Sequence, residues 1–478
     1  MLAELKQKYR ALSKVKKATF WITFCSFLRR GISFITVPIF TRILTTTEYG
    51  TVSVYQGWES MAINIITLGI AYGGFNNGMI KYKNDREGYT SAVAGLTITL
   101  GIIWIGLCFL LTNQASSFTG LTLSLLIVLV IEVTSGGICD IWMSRMKYDF
   151  DYRKMIAVSL FLGIVSPAVG IPLVLVASDK VFARIASFAF AQCGLAVVLS
   201  LIMFKRGKKL YCREYWKFAL LFNVPLLPHY LSEVILNSSD RIMIGNMHGA
   251  TDAGIYSIAY TTGMLMTILT TSLNSTVAPW LYRKLEEHSY DRIRKVSIAL
   301  LGGIAVIILG VNALAPDIVA ILAPATYSEA MGLVPIISAS VFFIFLYSYC
   351  ANIEFYFEKT KLAAVASVVA ALLNIGLNLI FIPVFGYVAA GYSTLICYAA
   401  MALAHYLFAQ HVMEKNRSIR LLNGNAIWGI GCIFCVVSIV FSSMYGLPIV
   451  RYGLVLAICI LVLVKRKQLT SLVRKELL

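Results

Sequence analysis

Two adjacent arginines, in the stretch "FCSFLRRGISF" (residues 24–34), fall in the middle of an apolar run. A charge at mid-bilayer depth is costly, so such side chains normally face a wet cavity, a partner or a substrate. Neighbouring residues of a helix point ~100° apart, so at least one of Arg29 and Arg30 should face protein or water. Two readings stand: an ion pair with an acid on another helix, or an anion site. A guanidinium suits phosphate because its fork of donors makes two parallel, charge-assisted hydrogen bonds.

A second run, "NVPLLPHYLSEVILNSSDRIMIG", carries His229, Glu233, Asn237 and Asp240/Arg241 at spacings of four, four, and three or four. That spacing is one polar stripe along one helix face. Pro225 and Pro228 free backbone carbonyls below the stripe and should kink the helix. The stripe reads either as a buried network or as a path for a proton, with His229 beside Glu233 as carrier. Asp240 and Arg241 lie towards the outer third, where they pair with other residues. Elsewhere, Glu59 and Glu132 sit deep in apolar runs. Either could neutralise Arg29 or Arg30 or hold a coupling proton. Asn374 and Asn378, one turn apart, could hydrogen-bond a sugar or another helix. Glu354 lies near an inner helix end and reads as structural.

The elements that must position these groups are apolar helices. The chain has 478 residues, 59% hydrophobic and 13% charged, with a mean hydropathy of +0.78. Apolar runs of about 20 residues recur from end to end, the length that crosses a bilayer as a helix. Fourteen spans are expected, near 18–43, 48–77, 91–112, 118–144, 154–177, 181–204, 216–246, 251–280, 296–322, 329–357, 361–383, 387–410, 425–445 and 448–464. The first run reads as a retained span rather than a cleaved signal. With the N-terminus in the cytoplasm, 34 of the 41 Lys and Arg fall in inward segments, and only Lys180 and Arg451 in outward loops. Positive-inside asymmetry of this quality supports fourteen spans with both termini inside. It also accounts for the net charge of +18 without nucleic acid.

One turn is written twice. Thr47-Glu48-x-Gly50-x-x-Ser53 and Thr251-Asp252-x-Gly254-x-x-Ser257 are 204 residues apart, six spans apart and in the same orientation. Thr47 and Thr251 are expected as N-caps, each followed by an acid that suits a helix start. A duplicated six-helix unit explains the repeat. Its halves would be related by a pseudo-two-fold axis along the membrane normal. The expected divisions are residues 1–204, 205–410 and an added two-helix segment, 411–478. Spans 1 and 7, equivalent in the two halves, both carry mid-membrane charge. This points to a central cavity lined by both.

Other chemistry finds little footing. Cys432 and Cys435 form a CxxC on an apolar helix with no second pair and no nearby His, which reads as packing. Asp149-x-Asp151, in a short basic loop, is a D-x-D of the kind that holds a metal-bound sugar nucleotide, but no nucleotide-binding domain surrounds it. No phosphate-binding Gly loop, Ser/His/Asp arrangement or metal-ligand cluster is present in the sequence. A glycosyltransferase or polysaccharide polymerase is therefore a distant reading. A structural scaffold would not need charge buried along spans 1 and 7.

The stretches "LRRGISFITVPIFTRILTTTEYG" (28–50) and "SSDRIMIGNMHGATDAGIYSIAY" (238–260) resemble the multidrug/oligosaccharidyl-lipid/polysaccharide flippase superfamily. They are most similar to its bacterial polysaccharide transporter branch, the Wzx-type O-antigen flippases. The markers are Arg29 or Arg30, Pro38, Thr41-Arg42-x-Leu44, Glu48 and Tyr49-Gly50, then Asp240-Arg241, Gly245, Gly254, Tyr256 and Ala259. The resemblance implies an all-α integral membrane protein with two MATE-like six-helix bundles and alternating access. It implies a cationic cavity that passes an undecaprenyl-pyrophosphate-linked oligosaccharide to the outer leaflet of the bacterial cytoplasmic membrane, with proton or sodium coupling and no cofactor. Arg29, Arg30 and Arg241 would then meet pyrophosphate, and spans 13 and 14 would line a groove for the lipid, by analogy with the lipid II flippases. Other polysaccharide-assembly proteins are possible partners. The nearest rival is a cation-coupled drug exporter of the same superfamily, kept open by Glu59 and Glu233 and opposed by the two arginines.

Overall fold

The computed structural model describes the backbone of residues 14–476, together with the side chains of that range apart from Thr360 and a number near its two ends, Arg29 and Arg30 among them. Every regular element among the described residues is helical. The chain divides into two compact units, Met1–Val234 and Ile235–Leu478. The helices of the first are α1 (Lys14–Ile43), α2 (Thr46–Thr67), α3 (Gly74–Lys81), α4 (Arg86–Leu110), α5 (Thr112–Thr119), α6 (Leu123–Tyr148), α7 (Tyr152–Val176), α8 (Lys180–Gly207) and α9 (Arg213–Asn223). Helix α10 (Leu227–Met247) carries the chain from the first unit into the second. The second holds α11 (Ala250–Gly263), α12 (Thr267–Glu286), α13 (Tyr290–Ala313), α14 (Ala315–Leu322), α15 (Ala330–Tyr356), α16 (Thr360–Phe385), α17 (Tyr387–Arg417), α18 (Gly424–Ser443) and α19 (Pro448–Glu476).

Ten helical segments among the described residues are long and apolar enough to cross a membrane. The chain is a multi-pass membrane protein. The ten coincide with ten of the expected spans. The other four expected segments are helical too, but two are interrupted: α2 ends at Thr67 before α3 begins at Gly74, and α11 is parted from α12 by a 3-10 turn at Met264–Met266. In the remaining two, the apolar stretches described are Phe34–Ile43 and Pro448–Ile460. Span 7 breaks where its prolines stand: a 3-10 turn at Val224–Leu226, containing Pro225, separates α9 from α10. Proline removes a backbone donor and clashes with the preceding turn, which is the cause of the break.

The repeated turn starts a helix in both places, but not on the expected threonines. At α2 the cap is Thr45, whose hydroxyl accepts from the Glu48 N–H while Glu48 Oε2 accepts from the Thr45 N–H at 2.7 Å. This reciprocal box satisfies two orphan donors of the first turn. At α11 the cap is Gly249, with φ of 101°, and Thr251 lies inside the helix. What the two copies share is the acid in the first turn, Glu48 and Asp252, which suits the positive helix end. Thr45→Ala should lower the stability of the purified protein by about 1 kcal/mol, read as a fall in its melting temperature in detergent.

Each unit packs around its own core. In the first, Phe40, Val52, Tyr55, Leu129 and Ile185 form one cluster, and Phe75, Met79, Tyr89, Trp142 and Met203 another. In the second, α15 is the central helix, packed on by α11, α12, α13, α17 and α18. Apolar residues fill most of its surface on every side, as expected for a helix surrounded by others.

At one edge of the first unit, the segment between α8 and α9 is strapped to α4. Ser91 donates to the Lys209 carbonyl at 2.8 Å and accepts from its N–H at 3.2 Å. A Cβ at Gly95 would lie 2.0 Å from the Leu210 carbonyl oxygen, so only glycine allows the approach. Asp85 caps α4 by accepting from the Gly88 N–H and also accepts from Lys209 Nζ and Tyr215 Oη. Partial burial alone would raise the Asp85 carboxyl, but the bonds from Lys209, Tyr215 and Gly88 outweigh it and hold the group below its usual range. A depressed acid contributes stability above its unfolded pKa and loses it as pH falls through the folded one. Asp85→Asn keeps the cap and removes the charge. It should cost under ~1 kcal/mol near neutral pH, given the exposure. The difference from the native melting temperature should begin to shrink as pH falls to about 4 and vanish only once pH has passed below the depressed folded pKa.

Candidate functional site

Buried charge is gathered separately in each unit. In the first, Glu132 on α6 is 6% exposed. It accepts from the Tyr55 hydroxyl of α2 at 2.7 Å, and its backbone carbonyl accepts from Gln192 of α8 at 3.1 Å. Glu59 follows Tyr55 by one turn of α2. Arg184, on α8, is 8% exposed, with its guanidinium 3.3 Å from the ring centre of Phe188 and 4.3 Å from that of Phe40. The two glutamates and Arg184 interact electrostatically with one another. Two acids share this cation among the described side chains. When both are ionised, one negative charge of the three groups is left over, and a proton or a monovalent cation would balance it.

In the second unit the focus is Asp240 on α10, 1% exposed. Its carboxylate accepts from Tyr256 Oη of α11 at 2.6 Å, Thr394 Oγ1 of α17 at 2.6 Å and Asn378 Nδ2 of α16 at 2.7 Å. Asn374, one turn before Asn378, accepts from the Ser239 hydroxyl at 2.9 Å. Both asparagines are fully buried and turned towards α10. Asn374 Nδ2 and Asn378 Oδ1 have no hydrogen-bond partner among the described residues. The carboxylate thus uses most of its lone pairs on neutral donors, and among the described residues no cation bonds to it.

The polar stripe of α10 does not share one environment. Glu233 and Asn237 are exposed, His229 and Arg241 half-buried, and Asp240 enclosed. His229 Nδ1 has no hydrogen-bond partner among the described residues, and its ring lies 6.0 Å from that of Tyr230. Asn237 Oδ1 accepts from Tyr260 and Tyr398, each at 3.1 Å. Arg241 stands 4.9 Å from the Tyr260 ring centre, away from any ion pair with its neighbour Asp240. The side chains of Arg29 and Arg30 lie outside the described residues.

Three participants escaped the sequence reading. Arg184 was not singled out, Tyr256 stood only as a family marker, and Thr394 carries no charge to betray it. A buried carboxylate needs donors, so a Tyr on the next helix was the available signal for Tyr256. The D-x-D pair, by contrast, is fully occupied: Asp149 pairs with Arg145 at 3.0 Å, and Asp151 pairs with Lys154 at 2.6 Å and caps α7. Among the described residues, no group of His, Cys, Asp and Glu is arranged to hold a metal.

The fold is that of known transport proteins. A structure of the lipid II flippase MurJ, in an inward closed conformation, aligns over 93% of this chain and 99% of its own, with a TM-score of 0.67 at 12% identity. An inward-facing multidrug resistance MATE family transporter of the MOP superfamily aligns over 80% of this chain and 99% of its own, with a TM-score of 0.53 at 13% identity. A MOP superfamily transporter from Pyrococcus furiosus aligns over 84% and 96%, with a TM-score of 0.51 at 14% identity. At these identities the likeness is one of fold. A comparison with curated protein sequences finds no match. Residues 15–284, more than half of the chain, match the model of the polysaccharide biosynthesis protein family, and on that match the chain belongs to this family.

Proposed function

We propose that the chain is a secondary transporter that carries a polyprenyl-pyrophosphate-linked oligosaccharide from the inner to the outer leaflet of the cytoplasmic membrane by ion-coupled alternating access. In this reading its fourteen spans form two six-helix bundles, residues 1–204 and 205–410, with two further helices at 411–478, and both termini are cytoplasmic. Arg29, Arg30 and Arg241 meet the pyrophosphate.

The observation that carries the proposal is Asp240. An enclosed carboxylate to which no cation bonds among the described residues, ringed by hydroxyl and amide groups, is a place for a proton or a sodium ion. Protonation would neutralise it in place. A hard cation would take the oxygens of Asp240, Thr394 and Tyr256, and a turned amide would add the oxygen of Asn378. Binding there changes the charge of the unit's interior by one, which is what a gradient needs to act on. Family membership and the fold shared with a lipid II flippase support the choice of cargo. Glu59, Glu132 and Arg184 offer a second charge balance of the same kind.

A drug exporter is the other reading. The acids Glu59 and Glu132 beside Tyr55, Phe40 and Phe188 are the surroundings that an organic cation would require.

Reconstitution into liposomes with a fluorescent lipid-linked oligosaccharide separates the two. The native protein should transfer the lipid, faster under an imposed proton or sodium gradient. Asp240→Asn should lose that gradient response by about tenfold or more, and Arg29→Ala or Arg30→Ala should slow transfer. Drug efflux with no transfer of any lipid-linked sugar would exclude the flippase. For the unit 1 cluster, Arg184→Met should destabilise the protein by about 3–5 kcal/mol, because it strands the buried acids. Adding Glu59→Gln should recover part of the lost melting temperature. Independent, additive shifts would show that the groups are not coupled.

A further inference from the structure

A second buried acid–base couple lies in the unit Ile235–Leu478. Glu354 of α15 and His405 of α17 are 0% and 1% exposed, and His405 Nδ1 is 2.8 Å from Glu354 Oε1. The imidazole stacks on Tyr347 with ring centres 5.6 Å apart and meets the edge of Phe408 at 6.4 Å. Two atoms of the couple, Glu354 Oε2 and His405 Nε2, have no hydrogen-bond partner among the described residues. Buried polar atoms are rarely left so.

The titratable groups around the couple are few. On α15 they are Tyr347 and Cys350, the latter in electrostatic contact with Glu354. Several charged residues of the helices packed on α15 are engaged elsewhere or stand outside. Arg294 of α13 bonds to the carbonyls of Arg420 and Leu421, Lys284 of α12 to Glu287, and Asp317 of α14 to Arg451. Asp252 of α11 faces His248. Lys361 of α16 and Glu286 of α12 are exposed, and α18 carries no charged residue. Among the described residues, no hydrogen bond or ion pair joins either side chain to a further charged group.

Enclosed in this way, a carboxylate beside a neutral imidazole would be an uncompensated negative charge in a medium that cannot solvate it. One added proton makes the couple neutral overall, whether it rests on nitrogen or on oxygen. A second would make it positive, at a similar cost. We propose that Glu354 and His405 form a proton-binding site distinct from Asp240, which holds one proton while enclosed and gives it up to water when water reaches Nε2 or Oε2. Only an N–H or O–H bond forms and breaks. The site is linked to the Asp240 region by its own packing. Tyr347 also stacks on Tyr398, with ring centres 6.3 Å apart and planes 6° apart, and Tyr398 donates to Asn237, one turn before Asp240. A shift of α17 that wets the couple therefore moves a contact of α10. The inference deepens the proposed ion coupling, but its first test does not depend on any cargo.

That test uses the full chain in detergent micelles near pH 8, where ordinary histidines are neutral. Nitrogen NMR of labelled histidine and infrared spectra of labelled glutamate should show one proton on the couple. The signal is either a doubly protonated imidazole or a protonated carboxyl stretch; Glu354→Gln should abolish it, whereas His405→Gln should leave the proton on Glu354 as a carboxyl stretch. If the native protein shows only neutral imidazoles and no protonated carboxyl, or if the signal survives Glu354→Gln, the proposal is overturned. In liposomes, Glu354→Gln should lose the response to a pH gradient by about tenfold and keep the response to sodium. Loss of both together would overturn the separation from Asp240. If the native protein transfers no lipid-linked sugar at all, the proposed function fails while the spectra still decide the proton site.

Discussion

A carboxylate shut away among helices, in surroundings that cannot solvate it, must be paired, hydrogen-bonded or protonated. The two units meet this constraint differently. In the first, Glu59 and Glu132 lie within electrostatic reach of one guanidinium, itself set against the rings of Phe40 and Phe188. In the second, Asp240 is met among the described residues by neutral donors from three other helices. The first arrangement is held by charge and the second by geometry. Geometry can be undone by a small helix movement, because three hydrogen bonds of about 2.6–2.7 Å cannot all survive a displacement of an ångström. The Asp240 carboxylate is thereby sensitive to the positions of α11, α16 and α17 together.

Much of the fold was open to reading because the membrane imposes it. Long apolar runs have only one economical form there, so ten expected spans reappear as helices that can cross a bilayer. The proline break in span 7 was visible for the same kind of reason: a missing donor leaves no choice. Helix starts were harder. Thr45, not Thr47, caps α2, because the cap is chosen by which residue leaves the helical conformation, and three consecutive threonines look alike to a pattern. In the second copy Gly249 reverses the chain before any threonine is reached.

The site was legible as types and not as contacts. Glu59, Glu132, Asp240, Asn374 and Asn378 were all conspicuous as polar groups in apolar runs. Their directions were not. The two asparagines of α16 sit one turn apart, which showed that they share a face but not that this face meets α10. Arg184 lies four positions into its helix and was not singled out, yet its guanidinium is set against aromatic rings. Glu354 and His405 are 51 residues apart, and no period connects them. Their pairing depends on the packing of α15 against α17, a tertiary fact. The fold likewise leaves the cargo open, since structures that share it include a lipid II flippase and a multidrug resistance transporter.

The strap between α8 and α9 has a consequence for handling the protein. It joins a run of bases, Lys205, Arg206, Lys208 and Lys209, at a surface where trypsin would be expected to cut. A protease must draw several residues of backbone into its cleft as an extended strand. Here Ser91 grips both the N–H and the carbonyl of Lys209, and the Leu210 carbonyl rests against Gly95. The basic run is therefore a shielded cleavage site, and nicking at it would report that the segment has lifted from α4.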